Sequence, residues 1–414
     1  MNDAFRYENG TLVCEQVDLA SIGETYGTPA YVYSSSAIRA RFRAYQSAFS
    51  DLSCRICYSV KANSNLSVLR LLAEEGSGFD IVSGGELYRV LKAGGDGRTV
   101  VFSGVGKAAS EIRFALAEGI HSFNCESESE IETISGIANS LGRTASIAIR
   151  VNPDVDAITH PYISTGLREH KFGVSINAAE ALYHRAAQLP SLLPDGVSCH
   201  IGSQLLDLDP LVEAADKALR LIDRLRSQGI PIRNLDLGGG LGVPYRSSER
   251  AISIETFAKK LRPKLAKADV TLTLEPGRSI VAEAGVLLTR VLLVKTNGQK
   301  TFVVVDGAMN DLIRPALYQA HHEIVPVIQP GGEGLIHADI VGPICETGDF
   351  FARGRDMAPV EPGELLAIRT AGAYGFVLAS NYNSRPRPCE LLVDGRRVAI
   401  ARRREKYDDL TRSE

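Results

Sequence analysis

From about Cys54 to Glu275, short apolar runs alternate with longer amphipathic stretches. The runs are Ile56–Val60, Phe79–Val82, Val100–Phe102, His121–Phe123, Ala145–Val151, Gly196–His200, Leu235–Leu237 and Thr271–Leu274. Short continuous apolar runs read as strands covered on both faces. Between them, Glu86–Ala93, Ser110–Glu118, Glu128–Leu141 and Pro210–Gln228 carry the spacing of a helix with one apolar face. Alternation of this kind predicts an α/β chain with a parallel sheet, and the eight runs match the number that closes a (β/α)8 TIM barrel. An open doubly wound sheet is the competing architecture. Its glycine fingerprint would follow the first strand, whereas the glycines here follow the seventh.

After about Val286 the texture changes. Leu287–Val294, Thr301–Val305, Glu323–Val327, Leu365–Arg369 and Ala399–Arg402 are β-rich, with Gly, Pro and Asn between them. The expected organisation is a barrel over residues 36–282 and an all-β domain, sandwich- or barrel-like, built from 1–35 and 283–414. Thr11–Val13 and Ala30–Tyr33 are expected to pair with that β-domain. The long connection Pro153–Gly173 reads as a functional loop, because structureless connections of that length are seldom neutral.

Composition narrows the class. A chain of 414 residues exceeds one ordinary core, so two domains are expected. Net charge is −3 with both signs interspersed, which argues against nucleic acid and membrane surfaces as partners. Met1-Asn2-Asp3-Ala4 does not begin a secretory signal pattern, and no apolar stretch reaches membrane-spanning length. Seven scattered cysteines, an odd number, argue for reduced thiols and a cytoplasmic protein. Cys54 and Cys57 have metal-motif spacing but fall in a predicted strand, where residues three apart face opposite ways, so no metal is expected.

Chemistry-bearing residues gather at the C-terminal ends of the predicted strands, the rim where barrels build their sites: Lys61, Asp80, Asn152, His200, Gly238–Gly240 and Glu275. A strand-end lysine facing a cleft can lose its proton and attack a carbonyl; an isolated one is more often an exposed cation. Gly238-Gly239-Gly240 lets backbone N–H groups close on an anion, or is merely a flexible turn. Glu275-Pro276-Gly277-Arg278 offers a second such turn on the neighbouring strand. A reactive lysine with a phosphate cradle across the barrel suggests pyridoxal 5′-phosphate (PLP), with Lys61 forming the Schiff base and Glu275 pairing with the ring nitrogen. His200 would lie against the ring face, or is a satisfied core histidine.

These residues lie in longer segments: YSVKAN around Lys61, FDIVSGGEL from Phe79, RVNPDVDAITHPYISTGL from Arg150, HIGSQ from His200, LDLGGGLGVPY from Leu235, EPGRSIVAEAG from Glu275, NDLIRPALY from Asn310, GPICETGDF from Gly342 and AGAYGF from Ala371. In this order, and spanning nearly the whole chain, they resemble the bacterial diaminopimelate decarboxylases of the alanine-racemase-like (fold type III) PLP enzymes. The resemblance implies decarboxylation of meso-2,6-diaminopimelate to L-lysine and CO2, the last step of lysine biosynthesis. It implies that Lys61 carries PLP, that Gly240 and Glu275, Pro276, Gly277 and Arg278 contact it, and that Tyr374 bonds its phosphate. Arg278, Arg314 and Tyr318 resemble a clamp for the distal carboxylate, and Glu346 the partner of the distal ammonium. Cys345 resembles the acid that protonates Cα. In the family, Cys345 and Glu346 enter from the partner subunit, which implies a homodimer with shared active sites. Asp80, Glu86 and Asn152 are supporting residues without an assigned role. The rival readings are an ornithine- or arginine-type decarboxylase, whose substrates offer no distal carboxylate, an amino-acid racemase, and a non-catalytic PLP carrier.

Overall fold

In the computed structural model of the chain, which describes residues 4–155, 171–250, 252–332 and 334–414, all eight apolar runs fall on strands. These are Cys54–Ser59, Gly78–Ile81, Val100–Phe102, Ser122–Cys125, Ala145–Asn152, Leu192–Ser198, Asn234–Asp236 and Thr271–Leu274. Each pairs in parallel with the next in chain order. Thr271–Leu274 pairs back onto Cys54–Ser59, so the sheet closes into a barrel. Most of the Pro153–Gly173 connection lies outside the described residues.

The barrel forms because its strands are apolar where the lumen and the outer helices cover them. Tyr58, Phe79 and Phe102 are fully buried and Phe123 nearly so. Complete burial of such a side chain contributes roughly 1.5–3 kcal/mol. The helices begin where short polar side chains cap them. Ser83 accepts from the Glu86 N–H at 3.2 Å, and Glu86 reaches back to the Val82 N–H at 2.8 Å. Ser127 and Glu130 repeat the device ahead of Glu128–Ser140, with Glu130 accepting from the Glu126 N–H at 2.7 Å. Each is a variant of the S-x-x-E capping box in which the Glu binds the N–H just ahead of the Ser cap.

The chain divides into two compact units. One contains the barrel, as Arg41–Val243 and Ala251–Ser279. The other comprises Met1–Ala40, Pro244–Arg250 and Ile280–Glu414, and is a mixed β-sheet unit. Its long strand Gly285–Asn297 pairs with Ala30–Ser34, Lys300–Val305 and Leu365–Ile368. Ala30–Ser34 thus joins the β-unit as expected. Thr11–Cys14 lies in the same unit, in a small sheet with Phe5–Glu8 and Val17–Asp18, and bridges to Ile328.

Candidate active site on the barrel rim

Lys61 lies in the turn Val60–Ala62 that leaves the first barrel strand. Its Nζ donates to Asp80 Oδ2 at 2.9 Å, and the same oxygen accepts from Ser59 Oγ at 2.6 Å. Asp80 is fully buried while the lysine side chain is 38% exposed. The carboxylate therefore fixes a cation that still reaches the open rim. Closure of the last strand onto the first sets what stands beside it. The Ser59 N–H donates to Pro276 O at 3.1 Å. A Cβ on Gly277 would fall 2.9 Å from Ala62 Cβ and 3.0 Å from Ser59 Cβ. Only glycine lets the Glu275–Arg278 turn close so tightly on the lysine turn. The sequence pattern placed this turn across the barrel from Lys61; barrel closure makes it the neighbour instead.

The other glycine turn follows the seventh strand. Gly238 has φ +63°, and a Cβ there would fall 2.5 Å from His200 Nδ1. His200 therefore packs against a residue that must lack a side chain. Gly240 lies against Gly202 O. The Glu275 N–H donates to Gly238 O at 2.8 Å, which ties the two turns together. Arg278 donates to Ser203 Oγ at 3.1 Å.

Behind the rim, a polar layer crosses the lumen. Asn124 Nδ2 donates to Asp236 Oδ2 at 2.7 Å and lies 3.3 Å from Glu275 Oε1 and 3.1 Å from Ser103 Oγ. Asp236 Oδ1 accepts from the Gly238 N–H at 2.8 Å. Burial pushes the Glu275 carboxyl well above the usual carboxylate range, and the charges of Asp236 and Asp80 push it further. Asp236 is raised as well, mainly by burial. Glu275 thus holds its proton until a cation arrives beside it. Desolvation, then the Arg150 and Lys61 cations, hold the His200 ring well below the usual imidazole range and so neutral.

Asp236, Asn124 and Ser103 were not singled out from the sequence. The signal for Asp236 is a carboxylate that ends a barrel strand two residues ahead of the glycines. Among the supporting residues, Asp80 is the ion-pair partner of Lys61. Asn152 donates to Phe172 O at 2.5 Å. Glu86 is the cap described above, and its carboxyl is pushed up to about 7, chiefly by burial. A raised carboxyl stabilises the fold below its unfolded value and loses that contribution as pH rises through the folded one. Glu86→Gln keeps a capping side chain but cannot ionise. Urea unfolding of the cofactor-free protein should therefore show wild type losing about 1–3 kcal/mol relative to the variant between pH ~4.5 and ~7. Parallel curves for the two proteins would remove Glu86 as the cause.

The remaining candidates lie in the β-unit. Arg314 opens the helical turn Arg314–Tyr318 and is buried. Cys345 is exposed, and its N–H donates to Asn383 Oδ1 at 3.0 Å. Glu346 Oε2 accepts from Tyr382 OH at 2.7 Å. Tyr374 has φ +55°, a conformation a bulky residue seldom adopts without cause. Its loop is anchored at Gly372, where a Cβ would fall 1.9 Å from Val281 O.

An amine on a carboxylate, two glycine turns and a buried acid awaiting a cation fit pyridoxal 5′-phosphate, which brings an aldehyde, a phosphate and a ring nitrogen. Residues 35–282 match the family model described as pyridoxal-dependent decarboxylase, pyridoxal binding domain. Fold and site thus define a PLP-dependent decarboxylase of the barrel type. The chain is 54% identical over 408 residues to the diaminopimelate decarboxylase of Pseudomonas aeruginosa, covering 99% of this chain and 98% of that one. The crystal structure of diaminopimelate decarboxylase from Helicobacter pylori complexed with L-lysine matches with TM-score 0.92 at 46% identity, covering 95% and 98% of the two chains. That from M. jannaschii in co-complex with L-lysine matches with TM-score 0.94 at 37% identity, covering 99% and 97%. The chain belongs to the diaminopimelate decarboxylase family.

Proposed function

We propose that the barrel rim decarboxylates meso-2,6-diaminopimelate to L-lysine and CO2, the last step of lysine biosynthesis. The observation that carries this is the Lys61–Asp80 pair hydrogen-bonded through its turn to the Glu275–Arg278 segment, in a chain of this family. When bound, PLP supplies the electron sink for the pair left as the Cα–carboxylate bond breaks.

The chain's own residues do the rest. Lys61 would tether the cofactor through its amine, which Asp80 holds in place. Glu275 would pair with the ring nitrogen, and the neutral His200 would lie against the ring without adding charge. Backbone N–H groups of Gly240 and, within Glu275–Arg278, of Gly277 and Arg278 would hold the phosphate, together with the Tyr374 hydroxyl. Arg278, Arg314 and Tyr318 bind the distal carboxylate; arginine suits this because its planar fork pairs bidentately. Glu346 pairs with the distal ammonium. The Cys345 thiol gives its proton to Cα in place of the departing CO2, and solvent restores it. A substrate such as ornithine leaves the buried Arg314 without a carboxylate, which disfavours that reading.

We further assign Cys345 and Glu346 to the neighbouring subunit's site in a homodimer. The exposure of Cys345 in the single chain supports this. All seven cysteines are thiols, which suits the reducing cytoplasm. Among the described residues, no helix is long and apolar enough to cross a membrane.

The test is subunit complementation. Lys61→Ala and Cys345→Ala chains, each inactive alone, should regain lysine formation when mixed. Random exchange makes about half of the dimers hybrid, each with one intact site, so recovery reaches at most about one quarter of wild type. Verified hybrids that remain inactive would show that each subunit builds its own site.

A further inference from the structure

The β-unit holds Arg314 by contacts that its substrate role alone does not require. The guanidinium carbon stacks 4.5 Å from the centre of the Tyr245 ring. Its Nη1 lies 2.8 Å from Nε2 of His322, which is fully buried. The other nitrogen of that ring, Nδ1, lies 2.8 Å from Arg369 O. Tyr245 and His322 meet edge to face, with centroids 5.3 Å apart at 81°.

Donor and acceptor logic fixes the histidine. A guanidinium only donates, so Nε2 must accept. A carbonyl only accepts, so Nδ1 must carry the proton. The ring is thus neutral in a single tautomer, and turning it over would set N–H against N–H. Its backbone is fixed as well. Ile324 pairs with Ile368 in the antiparallel ladder of Ile324–Pro326 and Leu365–Ile368. The Arg369 N–H extends that ladder to Glu323 O at 2.8 Å. Sheet register therefore sets the Arg369 carbonyl, the carbonyl sets the imidazole, and the imidazole sets the arginine.

We propose that His322, together with Tyr245, is a positioning residue that pre-orients the Arg314 guanidinium for the distal carboxylate of the substrate. The inference rests on the reading of Arg314 as a carboxylate-binding residue. A long side chain fixed in advance loses less freedom when the substrate binds, and this appears in affinity rather than in chemistry.

Two substitutions separate the ring's two bonds. His322→Asn keeps a donor for the Arg369 carbonyl and removes the acceptor for Arg314. His322→Gln restores an acceptor near the Nε2 position. His322→Asn should raise KM for diaminopimelate about tenfold, the worth of one hydrogen bond to a charged group, with kcat little changed. His322→Gln should recover most of that loss. In an Arg314→Lys background the effect of His322→Asn should vanish, because residues acting through one another are not additive. If His322→Asn does not fold, Tyr245→Leu is carried through the same cycle with the same expectation.

The two readings fail differently. If Arg314→Lys leaves KM unchanged, Arg314 is no carboxylate clamp and the proposal falls with it. If Arg314→Lys raises KM while His322→Asn does not, or if the two effects add in full, Arg314 stands and the positioning role is overturned.

Discussion

Replacing Lys61 with arginine should abolish the covalent hold on the cofactor and lower lysine formation by roughly a thousandfold, while leaving the fold intact. Arginine is the informative choice because Lys61 does two things. Its Nζ neutralises the fully buried Asp80 at 2.9 Å. It is also the amine proposed to tether PLP. Alanine would remove both and strand a buried carboxylate, a change that can destabilise by itself. Arginine keeps a cation for Asp80, but its guanidinium does not give up a proton and cannot take the place of the amine. Groups that move protons in the transition state contribute roughly 10²–10⁴ in rate, and the expected thousandfold loss of lysine formation lies at the middle of that range. Borohydride should fix cofactor to the Lys61 peptide in wild type and to no peptide in the variant. Melting temperatures of the cofactor-free proteins should agree. A Lys61→Arg enzyme that still turned over at a tenth of the wild-type rate would place the essential amine elsewhere.

What could be read from the chain follows the physics of each contact. The eight barrel strands were legible because strands covered on both faces need continuous apolar runs. The apolar pattern marks the sixth strand only from Gly196, whereas the strand begins at Leu192, because Pro194 and Asp195 break the run. In the structure, that break is a register shift between Pro194 and Gly196. Thr11–Val13 is expected to pair with the β-domain, and it lies in that unit, but its pattern of apolar and β-branched residues does not say that its main partners are Phe5–Glu8 and Val17–Asp18. Lys61 and Glu275 were legible because strand ends on one rim are a topological fact. The Asp236–Asn124–Ser103 layer was not, because those residues lie far apart in the chain and only barrel closure brings the fourth strand across from the seventh. The hold of Tyr245 and His322 on Arg314 was hidden for a related reason, since it depends on sheet register.

Glu275→Gln should separate activity from stability. In the cofactor-free protein, burial and then the charges of Asp236 and Asp80 hold the Glu275 carboxyl well above the usual range. A raised acid stabilises the fold below its unfolded value and loses that contribution as pH rises. Glutamine has no proton to lose, and its amide can still donate to Asp236. The cofactor-free variant should therefore melt no lower than wild type near pH 8, and its stability should vary less with alkaline pH. Turnover should move the other way. In the proposed role the carboxylate would matter when a cation stands at the ring nitrogen, because there it would favour the charged ring that accepts the electron pair. Removing a preorganised electrostatic partner of this kind costs about 10²–10³ in kcat. The visible absorbance of the loaded variant should also respond to pH differently from wild type, since the ring nitrogen would lose its anionic neighbour. A variant that was both unstable and inactive would make Glu275 a structural residue of the polar layer. One that was stable and fully active would assign the ring nitrogen to another acid, with Asp236 the nearest candidate.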